Sequence, residues 1–119
     1  MPHTTLDTEH VLKYDIEKHL ISHIMQQLVQ NINQYLKTVV FPLIKHPEAA
    51  QLRVANSEAG DLVRFRLVLE QSDVARVIGR NGMTASTIRS MAKAAGEKAG
   101  IRVVVHILSQ DEMQQESQA

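Results

Sequence analysis

From Leu12 to Ile44, apolar residues return at every fourth position: Leu12, Ile16, Leu20, Ile24, Leu28, Ile32, Leu36, Val40 and Ile44, with Ile21, Met25 and Val29 beside them. That spacing predicts an amphipathic helix. A helix repeats every 3.6 residues, so a strict four-residue stripe drifts around a straight one. A bend or break is therefore expected, marked by Asn31 and Asn33, with Pro42 kinking the end. Asp7 and Thr8 are candidate caps for the start. An apolar face this long must be buried, either by folding back over the rest of the chain or by pairing with the same segment of a second chain. The absence of a clean heptad favours a short helical pair over a long coiled coil.

Beyond residue 60 the period changes. Leu62-Val63-Arg64-Phe65-Arg66-Leu67-Val68-Leu69 alternates apolar and charged positions over 63 to 67, the pattern of a strand with one buried face, and Phe65 is assigned to the core. Ser72 is the expected N-cap of a short helix from Asp73 to Ile78, with Asp73 placed for the helix dipole. Ala85, Ile88, Ala92, Ala95 and Ala99 fall on one face of a second helix, which Gly96 weakens and Gly100 stops. Ile101-Arg102-Val103-Val104-Val105-His106-Ile107 is β-branched enough for a central strand.

Between the two helices lies Gly79-Arg80-Asn81-Gly82, entered through Val77-Ile78. Two glycines allow a tight turn and a close approach of the backbone to a sugar-phosphate chain, while Arg80 and Asn81 reach for phosphate. Thr84 and Ala85 then open a helix whose amides and positive dipole end favour an anion. On Gln71 to Gly82, Thr84-Ala85, Ile88-Arg89 and Val103-Val104-Val105, with Pro42-Leu43-Ile44 and His46-Pro47-Glu48 upstream, the chain resembles a KH domain. More narrowly it resembles the small bacterial KH-domain RNA-binding proteins of the KhpA type.

The resemblance covers roughly residues 35 to 108. It implies an α+β fold of type II, in the order α-β-β-α-α-β, with a helix ending near Ile44, strands near 52 to 56 and 62 to 69, and a three-stranded sheet packed on helices. Residues 1–34 then form an extra N-terminal helix, and the Gln-, Glu- and Ser-rich residues 109–119 read as a disordered tail. It also implies RNA-binding residues at Arg76, Val77, Ile78, Gly79, Arg80, Asn81, Gly82, Thr84 and Arg89, clamping about four nucleotides of single-stranded RNA. In that family the activity is that of an RNA chaperone or post-transcriptional regulator affecting cell shape, with self-association or pairing to a larger KH protein of the Jag (KhpB) type.

Net charge is zero, with 13 basic and 13 acidic residues, but the distribution is uneven. Residues 72 to 106 hold six basic and two acidic side chains, a local +4, whereas the first 34 residues carry −2 and the residues from Ser109 onward carry −3. Positive charge thus gathers around the GxxG loop, as a nucleic-acid site requires. Tyr14, Tyr35, Phe41 and Phe65 are the only aromatic residues, too few for a base-stacking platform, which argues against RRM, OB-fold and cold-shock surfaces. Met83 stands where the family usually has a basic residue, Ser86 where lysine is common, and Ala75 where glycine is frequent. Two cations fewer beside the phosphate track predict weak, largely sequence-tolerant binding, which single-stranded DNA would also satisfy.

A second surface is expected on the same helix, where Thr87, Met91 and Ala94 follow Thr84 as a stripe of small or flexible residues fit for a dimer interface. The competing reading places Met91 in a core gap. Protein interaction is accordingly the alternative function, with RNA binding weak or partner-dependent. No nucleophile with its base, carboxylate pair or Walker loop occurs in a convincing context, so no enzyme activity and no cofactor are expected. Asp15, His19 and His23 share a helical face at intervals of four but lack a fourth ligand, and no metal is expected. Absence of cysteine, of an apolar run of about 18 residues and of a signal-peptide layout in Met1 to Thr5 predicts a cytoplasmic protein.

Overall fold

The apolar stripe of the first forty residues forms one uninterrupted helix, α1, Pro2–Val40. The structure, a computed structural model, describes the backbone of residues 2–118 and the side chains of residues 16, 19, 20 and 22–116. α1 already begins at Pro2, so Asp7 and Thr8 lie within it and do not start it, while Asp15 of the acid–histidine group is outside the described side chains. No break occurs at Asn31 or Asn33: Asn31 faces outward and accepts a hydrogen bond from Gln27 Nε2 at 3.1 Å. The drift of the stripe is absorbed by rotation instead of a kink. Each four-residue step advances it by about 40°, so Met25, Leu28, Ile32, Leu36 and Val40 are buried while Ile24, Leu20 and Ile16 have turned out to solvent.

Pro42 ends α1 in a single 3₁₀ turn, Phe41–Leu43, so the helix stops at Val40, earlier than the Ile44 expected. A second 3₁₀ turn, Pro47–Ala49, leads to β1 (Gln51–Asn56) and then β2 (Leu62–Leu69), α2 (Gln71–Ile78), α3 (Met83–Lys98), β3 (Arg102–Ser109) and α4 (Gln110–Gln118). The sheet order is β1-β2-β3. β1 runs antiparallel to β2, and β3 runs parallel to it, as the α2–α3 crossover requires. This is the α+β arrangement expected, with helices against a three-stranded sheet.

The core lies between one sheet face and α1, α2 and α3. Val63, Phe65, Leu67 and Leu69 of β2 and Val103, Val105 and Ile107 of β3 meet Val74, Val77, Ala85, Ile88 and Ala92. Met25, Leu28 and Ile32 belong to the same cluster, so the boundary expected at 34/35 falls inside α1 and inside the core. At the end of α3, Ile101 N–H donates to Gly96 O at 2.8 Å and Gly100 N–H to Glu97 O at 3.0 Å, with Gly100 at φ 73°. That pair of bonds is a Schellman closure, and it ends the helix at the glycine expected to stop it.

Residues 110–118 differ from the expectation of disorder. Ser109 Oγ accepts from Glu112 N–H at 3.1 Å, and Glu112 Oε1 accepts from Ser109 N–H at 3.4 Å. This reciprocal capping box nucleates α4, which Asp111 and Glu112 then stabilise through the dipole. The Ser109-x-x-Glu112 spacing was present in the sequence but obscured by the polar composition around it.

Candidate nucleic-acid interface

The helix α2 begins two residues before its expected start, because Glu70 rather than Ser72 is its cap. The Glu70 carboxylate accepts from Ser72 N–H at 2.9 Å and from the Ser72 hydroxyl. These bonds hold its carboxyl below the ordinary range. Asp73 does more than face the dipole. Its carboxylate is fully buried and accepts from Lys45 N–H and His46 N–H, each at 2.9 Å. Burial alone would push this carboxyl up, but the two amide donors, with His46 and Arg76 nearby, more than offset it and hold it below its usual value. Asp73 thereby ties the exit of α1 to the start of α2, the helix that presents the loop.

At the loop itself, Gly79 has φ 77° and ψ 177°, Asn81 φ 58° and Gly82 φ 72°. Asn81 is the one non-glycine residue at positive φ among the described residues, a conformation that asparagine tolerates. Gly79 is pressed against the next helix: an added Cβ would collide with Thr84 Oγ1 and lie 2.8 Å from Thr84 Cβ. The turn closes through Gly82 N–H to Gly79 O at 3.2 Å. Arg80 and Asn81 are exposed at its tip. Gly82 caps α3 without any side-chain hydrogen bond, so the first-turn amides of α3 open beside the loop at the positive end of the dipole.

Not all nine expected residues share that surface. Val77 is fully buried beside Val74, three residues apart on the core side of α2, and it supports the loop from below; of the pair only Ile78, half-buried against the core, is partly open to solvent. Thr84 is half-buried beneath Gly79. Arg76 is exposed but its Nε lies 3.6 Å from Asp73 Oδ1. Arg89 Nε donates to Val105 O at 3.2 Å, so this arginine reaches from α3 to the free edge of β3. There a groove is lined by Arg89, Ser90, Lys93 and Val103 to His106, and it continues the basic surface away from the loop. Met83, at the position expected to be basic in relatives, is 67% exposed.

Thr87 and Ala94 are exposed, and Met91 is 56% exposed, so Met91 does not fill a core gap. Among the described residues no three metal-ligating side chains converge, and no helix is long and apolar enough to cross a membrane.

The chain is similar to known KH-domain proteins. A family model described as KhpA/KhpB, KH domain, matches residues 33–107. RNA-binding protein KhpA of Bacillus subtilis (strain 168) is 33% identical over 78 residues, covering 66% of this chain and 94% of the relative. The protein of the same name from Streptococcus pneumoniae serotype 4 is also 33% identical over 78 residues, covering 65% and 96%. That of Clostridium acetobutylicum is 32% identical over 77 residues, covering 65% of this chain and all of the relative.

Proposed function

The chain belongs to the KhpA/KhpB KH-domain family, and from that membership we propose that it binds single-stranded RNA by clamping about four nucleotides across Gly79–Gly82. The observation that carries this reading is the conformation of the loop: positive φ at Gly79, Asn81 and Gly82, no room for a side chain at Gly79, and Arg80 and Asn81 free at the tip. The phosphates sit on Arg80, Asn81 and the first amides of α3. Ile78 and Thr84 form the wall of the groove, Arg76 and Arg89 supply charge at its two ends, and Val77 acts only by holding Ile78 in place. The protein is a cytoplasmic RNA chaperone or post-transcriptional regulator without a catalytic step, working with a Jag (KhpB)-type KH partner.

Arg80→Asp/Asn81→Asp reverses the charge at the tip without touching the core. Anisotropy titration of a short uridine oligomer at low salt is expected to lose on the order of 30-fold in affinity, with an unchanged circular dichroism spectrum. Equal binding by the double variant would sink this reading.

A second reading, assembly through α3, is favoured by the exposure of Met91 between Thr87 and Ala94. A flexible apolar side chain on an open helix face is suited to a partner helix. Met91→Asp is expected to convert a dimer to monomer in light scattering at micromolar concentration while leaving the thermal midpoint within a few degrees. A dimer that persists in this variant excludes this surface.

A further inference from the structure

The three strands contain no acidic residue yet hold four of the seven arginines of the chain. Strand alternation puts all four on the face turned away from α1, α2 and α3. β2 directs Val63, Phe65, Leu67 and Leu69 into the core and leaves Arg64 and Arg66 opposite them. The register then sets Arg53 directly across from Arg66, and Arg66 across from His106, with Arg102 across from Leu62 at the far end. Like charges facing each other on neighbouring strands destabilise a sheet.

Among the described residues little neutralises them. Arg53 Nη2 donates to Gln51 Oε1 at 3.2 Å, a neutral partner, and Arg64 Nε is buried without a hydrogen-bond acceptor. One carboxylate, on α4, does pair with the set: Glu116 Oε2 lies 3.5 Å from Arg66 Nη1. The acidic α4 packs on β2 and β3, where Val68 and Leu108 are buried apart from the main core, and reaches the row of Arg53 and Arg66 only through Glu116, while the rows of Arg64 and Arg102 lie further along the strands. One anion of the chain itself is thus already drawn to this face. The groove around the free edge of β3 also reaches it, because Val104 and His106 line both.

We propose that this face is a second RNA-contact surface, taking the phosphates of a strand that leaves the Gly79–Gly82 loop and passes round the edge of β3 onto Arg102, Arg64, Arg66 and Arg53. The proposal rests on RNA binding at the loop. No aromatic side chain lies on this side of the strands, Phe65 being in the core, so the surface holds backbone phosphate and ignores base identity. Its contribution depends on RNA length, because an oligomer that only fills the clamp cannot reach it.

The test uses the full chain with labelled uridine oligomers of 5 and 16 nucleotides, titrated between 50 and 200 mM KCl. Arg53→Gln/Arg66→Gln is expected to weaken the 16-mer by roughly tenfold and to reduce the magnitude of its log-log salt slope by about 1.4, two phosphates at about 0.7 each. The 5-mer affinity stays within twofold, and Arg53→Lys/Arg66→Lys retains the 16-mer affinity. Melting curves of the Gln variant guard against a folding defect, and removal of the facing charges should not lower its midpoint. Unchanged 16-mer affinity and slope overturn the second surface while leaving the loop intact. Loss of the 5-mer as well assigns these arginines to the clamp and overturns it too. No binding of either oligomer by the unaltered chain overturns the loop reading, and this proposal with it.

Discussion

Gly96→Val is expected to lower the melting midpoint by roughly 10–20 °C. Gly96 is buried where α3 crosses β3, and an added Cβ would collide with the Ile101 carbonyl oxygen and Val103 Cγ2 and lie 3.2 Å from Val103 Cβ. Neither neighbour can yield. The Ile101 amide is bonded to Gly96 O at 2.8 Å, and Val103 is paired in register with Val63 of the central strand. Overpacking of this kind costs about 3 kcal/mol, a substantial part of the 5–15 kcal/mol that typically holds a domain together. Gly96→Ala inserts only the methyl group and recovers about 1 kcal/mol of helix propensity. Its melting midpoint should fall by a smaller amount, on the order of 5–10 °C. Thermal melts of both variants decide the matter: a wild-type midpoint for Gly96→Val would mean that α3 and β3 separate at little cost.

Asp73→Ala is the second large effect, with a signature in pH as well as temperature. The carboxylate is fully buried and is the acceptor for the Lys45 and His46 amides. Truncation leaves both donors without an acceptor and releases α2 from the exit of α1, so the midpoint at pH 7 should drop by on the order of 10 °C. Because the folded carboxyl is held below its unfolded value, its stabilisation is fully present above the unfolded value of about 3.9 and is lost as the pH falls through the folded one. The gap between wild type and Asp73→Ala should therefore be constant from pH 7 to about 5 and narrow below about 4. A gap independent of pH down to 2.5 would show that the ionised carboxylate contributes nothing. Since α2 presents Gly79, RNA affinity should fall with stability in this variant, and Asp73→Asn should lie between the two, keeping one acceptor while turning an amide donor toward another donor.

Local rules were enough to read a good deal of this protein from its sequence. The alternation over 63 to 67, the stop at Gly100 and the GxxG turn between two helices depend on residues within a few positions of each other, and all three recur in the structure; of the face expected at Ala85, Ile88, Ala92, Ala95 and Ala99, the first three are buried, Ala99 is half-buried and Ala95 is exposed. The Ser109-x-x-Glu112 capping box was equally local and was hidden only by composition. Two local expectations gave way to packing. Asn31 and Asn33 do not break α1, because a stripe can leave the core by rotation at no cost in backbone hydrogen bonds, and Val77 goes to the core because helix phase sets it beside Val74.

The remaining features join residues far apart in the chain, where no spacing rule applies. Asp73 meets amides 27 and 28 positions earlier, Arg89 meets a carbonyl 16 positions later, and Arg53, Arg66 and His106 form one row only through the pairing register of three strands. In the sequence these are an acid at a helix start, a basic residue on a helix and scattered strand charges. Side-chain periodicity fixes which face of its own element a residue occupies; it carries no information about which other element comes to lie against that face. The Gly79–Gly82 turn was therefore set by the sequence, and its anchor at Asp73 and the arginine face of the sheet were decided by the fold.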